Sequence, residues 1–371
     1  MSRSSKLTTI AIFSLTALLA LSGCAIVGAS HSASSHAAQL VSDDFKAVAT
    51  GTTRDYYIAA EEVLWDYAPA GKNVIENRPF SEDESVFTEA SKTRSGTKYL
   101  KCIYVGYTDS SFKNKTNQPK DMGLLGPTIR AEVGDHVEVH FKNRCSFGNS
   151  IHVHGFQYDK ASEGASYQDG NTIKADDEVA PGGSYTYHYT VPQSAGPTES
   201  EGSTAMWMYH SHSDEIKDVY AGLTGFIVVT KHGEAKADGS PKDVDQEIFQ
   251  LYEVDNENVS TLAEKNFDKL QADDSPDDFE ESNLMHSING FVYGNGPMPT
   301  MKAGTKVRWY LMGMGSEVDL HTPHWHGNTV TSMGMRTDVV SLLPGTMITA
   351  DMTPDNPGIW LFHCHVADHI A

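Results

Sequence analysis

Two halves of the chain repeat each other, and the repeat is carried by histidine. The first half contains "SIHVHG" (150–155) and "MWMYHSHSDE" (206–215); the second contains "HTPHWHG" (321–327) and "WLFHCHVADH" (360–369). A Pro-Gly turn precedes the second motif in each half, at Pro181-Gly182-Gly183 and Pro344-Gly345-Thr346. Self-similarity in this order marks one unit used twice. In a strand, residues i and i+2 share a face. His152/His154, His210/His212, His324/His326 and His363/His365 therefore each present two imidazoles to one side. Imidazole suits copper, zinc and iron. One such pair is ordinary strand polarity; four pairs in register across a duplication point to a metal centre.

The segments between these motifs are β-like. "HVEVHFKN" (136–143) and "SYTYHYTV" (184–191) alternate, and "GFIVVT" (225–230) and "KVRWYLM" (306–312) are further strand candidates. Short strands separated by Gly/Pro turns make an all-β sandwich or barrel. The expected division is a leader at 1–23, a small-residue tether at 24–54, a first domain at 55–232, a polar linker at 233–246 and a second domain at 247–371. Within the second domain, the acidic run 255–282 reads as a surface loop with one helical turn.

Cys364 lies between His363 and His365. In an extended segment its side chain points away from both, so its sulfur serves a different metal from the two imidazoles. A thiolate with two histidines is the ligand set of a blue-copper electron-transfer site. His321 and His369 are the histidines available to complete it.

At these residues the chain resembles the multicopper oxidases, whose four copper motifs "HVHG", "HSH", "HTPHWHG" and "HCHVADH" match in order over about residues 95–371. It looks closest to two-domain, small-laccase-type members, with ceruloplasmin-like wording in "LLGPTIRAEVGD" and "HCHVADH". The resemblance implies two cupredoxin-like Greek-key β-sandwich domains in tandem and four coppers per chain. By position, His321, Cys364 and His369 would bind the type 1 copper, and His152 and His324 the type 2 copper. One type 3 copper would take His154, His210 and His365; the other would take His212, His326 and His363. Ser211 stands where Cys364 stands in the second half, so one blue site per chain is expected.

The implied reaction is one-electron oxidation of phenolic or similar donors, coupled to four-electron reduction of O₂ to water. The alternative donor is Fe(II) or Cu(I), with Asp368 beside His369 as an acid that helps hold the ion. Glu163 and Tyr158, just downstream of His154, are candidate catalytic residues, Glu163 as proton donor. Each domain supplies four of the eight cluster histidines, and two-domain members resemble trimers with head-to-tail contacts that close a ring. A homotrimer with clusters between subunits is expected. Family members continue past "HCHxxxH" to an axial position beyond residue 371, so the second domain reads as C-terminally incomplete. A copper nitrite reductase is disfavoured by the eight cluster histidines and by Ser211, and a copper-storage role by the intact cluster set.

The N-terminus has a basic start at Arg3 and Lys6, then an apolar run from Leu7 to Ser22 too short to span a membrane comfortably. Its "LSGC" end resembles a bacterial lipobox, with Cys24 as the lipidated residue; a plain secretory signal cleaved later is the alternative. The expected location is extracytoplasmic, in a bacterial periplasm or at the cell surface, on a lipid anchor. With Cys24 and Cys364 assigned, Cys102 and Cys145 remain, and in an oxidising compartment they read as a disulfide, two buried thiols being the alternative. The net charge is −21, and loss of Arg3 and Lys6 with the leader makes it −23. Such acidity disfavours nucleic acid and anionic substrates and favours cations. His136, His140, His188, His232 and His286 have no motif partners and read as strand or surface residues. Met312, Met314, Met333 and Met335 read as packing residues.

Overall fold

Alternation, repeated twice, builds the molecule. The computed structural model describes residues 51–369 apart from 171, 173, 273 and 274; the side chain of Asp368 lies outside what it describes. The expected leader, Cys24 and most of the tether also lie outside the described residues. Eight strands form the first half: β1 (Thr53–Asp66), β2 (Lys98–Tyr107), β3 (Ile129–Glu132), β4 (His136–Asn143), β5 (His152–Val153), β6 (Ser184–Thr190), β7 (Thr204–His210) and β8 (Thr224–Thr230). β1 begins at Thr53, two residues inside the expected tether. The strands make two four-stranded sheets, β2-β1-β4-β6 and β3-β8-β7-β5. Between them lies an apolar core that includes Val137, Val139, Phe141, Tyr187, Tyr189, Ile227 and Val229. Cys102 and Cys145 are joined by a disulfide across 43 residues.

The second half is built from β9 (Gln246–Asn256), β10 (Leu284–Ile288), β11 (Val307–Gly313), β12 (Pro323–Trp325), β13 (Val330–Ser332), β14 (Met335–Thr337), β15 (Thr346–Met352) and β16 (Phe362–Cys364). Its large sheet runs β10-β9-β11-β15-β13-β14, and the first four strands reproduce β2-β1-β4-β6. In both sheets the first pair is antiparallel, the second parallel and the third antiparallel. The short pair β12-β16 reproduces β5-β7, with His324 opposite His363 as His152 is opposite His210. No strand among the described residues of the second half reproduces β3 or β8.

The described residues all fall within a single contact unit. One reason is a shared apolar seam. Met122, Met206, Met208, Phe226 and Val228 from the first half pack with Phe249, Leu251, Tyr310, Met312 and Met314 from the second, and Met347 lies against them. Met333 and Met335, by contrast, are exposed.

The acidic run differs from its expected form. β9 extends into it, and it holds two short helices, Ala263–Phe267 and Pro276–Glu281. Asp255 and Glu257 are buried rather than solvated. They face Lys101 of β2, itself fully buried, whose Nζ lies 2.6 Å from Glu257 Oε1 and 3.3 Å from Asp255 Oδ1. Carboxylates enter a core only when paired, and here the cation comes from the other half of the chain. No helix among the described residues is long and apolar enough to cross a membrane.

Candidate metal centre

β5 and β7 each end in a histidine pair, and register sets the two pairs against each other. His154 Nε2 lies 3.1 Å from His210 Nε2. The His152 ring is 5.4 Å from that of His154 and 5.1 Å from that of His212. The second half repeats this arrangement. His326 Nε2 lies 3.1 Å from His363 Nε2, and the His324 ring is 4.8 Å from that of His326 and 5.2 Å from that of His365.

The outward nitrogens repeat as well. His152 Nδ1 lies 2.6 Å from the Glu163 carbonyl and His324 Nδ1 2.8 Å from the Asp338 carbonyl. His210 Nδ1 faces the Ser211 carbonyl and His363 Nδ1 the Cys364 carbonyl. A carbonyl only accepts, so each of these imidazoles carries its proton on Nδ1 and turns a bare Nε2 inward. That is how outer partners orient metal-ligating histidines. Burial and the nearby rings favour the neutral form in the first set: burial, then His152 and His212, push His154 down to about 4, and burial with His154 and His152 takes His210 to about 3. His210 and His363 thus turn Nε2 acceptors to His154 Nε2 and His326 Nε2 at 3.1 Å, a place that a proton on the facing ring or a metal cation can fill. The donor set fits copper. Among the described residues, no ring contact joins the four histidines of one half to those of the other.

Cys364 Sγ points the other way, as alternation requires. It lies 3.4 Å from His369 Nδ1 and 3.8 Å from His321 Nδ1. All three residues offer a ligand atom to one point. Burial raises the thiol, but His321 and His369 outweigh it and bring Cys364 down to about 5, so it is held as thiolate. His321 Nε2 faces Asp319 Oδ1 at 3.5 Å, and Asp319, almost wholly buried, is fixed by the Val254 and Ser316 amides. In the first half the place of the thiolate is taken by Ser211, which donates to the buried Asp218 at 2.7 Å.

Glu163 meets this site through its main chain, by the carbonyl that receives His152. Its carboxylate is engaged by Lys160 and by Tyr167, whose hydroxyl donates at 3.0 Å. Tyr158 is partly exposed, its ring 5.8 Å from that of His152. Asp368 lies in the closing turn Ala367–His369. The sequence reads His286 as a strand or surface residue and gives no sign of Asp319. The His286 ring, on β10, lies 5.0 Å from that of His369, and both residues line a cavity of about 860 Å³. No local motif marks His286, because its neighbour is 83 positions away.

A family model described as multicopper oxidase matches residues 109–234, and a second with the same description matches 261–371. The chain is 42% identical to human hephaestin over 330 residues and 42% identical to the human ferroxidase HEPHL1 over 328, covering 86% of this chain and 28% of each relative. It is 41% identical to rat ceruloplasmin, covering 85% of this chain and 31% of that one. The chain thus spans under a third of the length of these relatives. Among solved structures, a multicopper oxidase titled mgLAC superposes with TM-score 0.56 at 20% identity, covering 85% of this chain and 80% of that one. Another, titled a multicopper oxidase, superposes with TM-score 0.53 at 21% identity over 85% of each chain. These likenesses show the fold, two cupredoxin-like β-sandwiches in tandem.

Proposed function

Because the chain belongs to the multicopper oxidase family, we propose that it oxidises a small metal ion, Fe(II) in the first instance, and passes the electrons to O₂. Bound copper supplies the one-electron acceptor and the site of four-electron O₂ reduction. The residues supply the rest. His321, Cys364 and His369 would hold the type 1 copper, and the eight paired histidines would hold one type 2 and two type 3 coppers, four in all. Cys364 and its two neighbours belong to different centres, so one peptide unit on either side separates them.

The observation that carries the choice of donor is His286. It places a further imidazole, a metal-binding group, 5.0 Å from the His369 ring in the wall of a cavity. Two features support it. One relative at 42% identity is named a ferroxidase, and a chain with net charge −21 attracts cations. Oxidation of a phenol is the second reading, favoured by Phe291, Tyr293 and Trp360, which line the same cavity. Oxygen uptake with Fe(II) and with a dimethoxyphenol separates them. His286→Gln should lower Fe(II) turnover about tenfold or more and leave phenol turnover alone. Equal losses with both donors would sink the Fe(II) reading. Asp368→Asn, tested in the same way, asks whether the acid beside His369 joins in.

The two four-histidine sets do not touch within one chain, which supports a head-to-tail ring of copies, a homotrimer, as the unit that completes the oxygen-reducing site. Sedimentation showing a monomer with all four coppers would rule the ring out. The leader, with Cys24 as lipid attachment, supports an extracytoplasmic, membrane-tethered protein. Loss of the diacylglycerol mass in Cys24→Ser tests that.

A further inference from the structure

The outer face of the first sheet holds a second cluster of metal-binding side chains, unrelated to the histidine pairs and independent of the function proposed above. Strand alternation puts His136, Glu138 and His140 on the side of β4 that faces away from the core. Asp55 of β1 is the register partner of Glu138, and His188 of β6 is its partner on the other side. Carboxylate, carboxylate and imidazole thus form a straight row across three adjacent strands, with His140 one step along. His140 Nε2 lies 2.9 Å from Asp55 Oδ1 and 3.9 Å from Glu138 Oε2. His188 Nδ1 lies 3.5 Å from the other oxygen of Glu138.

We propose that Asp55, Glu138 and His140, whose ligand atoms lie within 4.8 Å of one another, form a mononuclear site for a borderline divalent cation, Zn(II) or Cu(II), with His188 beside it on the other oxygen of Glu138. Three features carry this. Ligand atoms about 2.0–2.2 Å from a tetrahedral ion lie roughly 3.3 Å apart, and the separations of His140 from Asp55 and Glu138, 2.9 and 3.9 Å, bracket that value. The His140 ring is also held as a ligating ring is held. Tyr57 stacks on it at 4.6 Å and 14°, and its other nitrogen, Nδ1, lies 3.3 Å from the Thr186 hydroxyl, the outer-partner arrangement typical of metal-bound histidine. Finally, Asp55 and Glu138 are like charges set side by side on neighbouring strands, an unfavourable pairing that a cation between them reverses. An open hollow of about 170 Å³, lined by His136, Glu138 and His188, leaves that end of the row accessible. Imidazole with carboxylate suits Zn(II) and Cu(II) better than Ca(II) or Mg(II), which take all-oxygen sets.

The test uses the full chain. Copper-loaded protein, stripped of loosely held ions, is titrated with Zn(II) by calorimetry, and His140 is followed by diethylpyrocarbonate labelling and mass spectrometry. The expected result is one Zn(II) per chain with saturable binding, and a matching protection of His140. Glu138→Gln and His140→Ala should each weaken binding about tenfold or more, and the exposed His232→Gln should not. Retention of the blue absorption band confirms that a variant is folded. The labelling arm needs no variant. Absence of Zn(II)-dependent protection at His140, or binding unchanged in both Glu138→Gln and His140→Ala, would overturn the proposal.

Discussion

Replacing Lys101 by Met tests whether the buried ionic cluster ties the two halves together. The wild-type ammonium has no solvent exposure and four partners. These are Glu257 at 2.6 Å, the Tyr220 carbonyl at 2.7 Å, the Tyr67 hydroxyl at 2.9 Å and Asp255 at 3.3 Å. Met fills most of the volume and supplies no charge. Glu257 would keep the Tyr67 hydroxyl, but Asp255 and Glu257 would lose their cation inside a low-dielectric core. Removing one partner of a buried pair costs about 3–5 kcal/mol, because the other charge is left uncompensated. For a unit of this size that lowers the melting temperature by about 4–8 °C.

The pH dependence gives a sharper test. Burial outweighs Lys101 and holds Glu257 up at about 6, above the ordinary carboxylate range. A carboxyl raised in the folded state binds its proton more tightly there than in the unfolded chain. Stability therefore falls as pH rises through the window between the two values. Loss of Lys101 pushes Glu257 higher and widens that window upward. The deficit of Lys101→Met should be large at pH 8 and shrink at pH 5, where the orphaned carboxyl takes a proton and becomes neutral. Urea unfolding of metal-free protein at both pH values measures this without copper linkage. Lys101→Met combined with Glu257→Gln should recover part of the loss at pH 8. A deficit below about 1 kcal/mol at pH 8, or one equal at pH 5 and pH 8, would refute the reasoning.

Other perturbations have equally direct readouts. Cys102→Ser with Cys145→Ser opens a loop of 43 residues, and chain entropy sets the expected loss at about 4 kcal/mol, read from urea midpoints. Asp319→Asn can keep only one of the two amide contacts that fix residue 319, Val254 N–H to Oδ1 or Ser316 N–H to Oδ2, because its NH₂ cannot accept, and it removes the charge facing His321 Nε2. It should weaken the hold of His321, Cys364 and His369 on Cu(II) about tenfold, measured by chelator competition; unchanged affinity would make Asp319 a packing residue only. Glu163→Gln keeps the main-chain carbonyl that receives His152 and should slow O₂ reduction with an altered pH profile, the carboxylate being the proposed proton donor; unchanged turnover across pH would rule that role out.

What could be read from the sequence was local. The i, i+2 spacing of His152/His154 and its three repeats is itself the geometry of a strand face. The alternation of residues 136–143 likewise carries its own orientation. The separation of Cys364 from His363 and His365 followed from the same alternation. Features that depend on distant partners were not legible. Glu257 sits in an acidic run that reads as solvated surface, and only Lys101, 156 positions away, makes its burial tolerable. His286 meets His369 across the second half. Asp55, Glu138 and His188 come from three strands that meet only after the sheet has formed, so histidines that stand alone in the sequence share one face in the fold.

The seam between the halves has a mechanical consequence. Met122, Met206, Met208, Met312, Met314 and Met347 all meet there. Thioether side chains are unbranched and adopt many shapes at little cost. They share the seam with Phe226, Phe249 and Tyr310, so it pairs rigid rings with fillers that take whatever shape the rings leave. A joint of that kind tolerates a changed methionine better than a changed ring: the thioethers reshape around a neighbour, and the rings cannot.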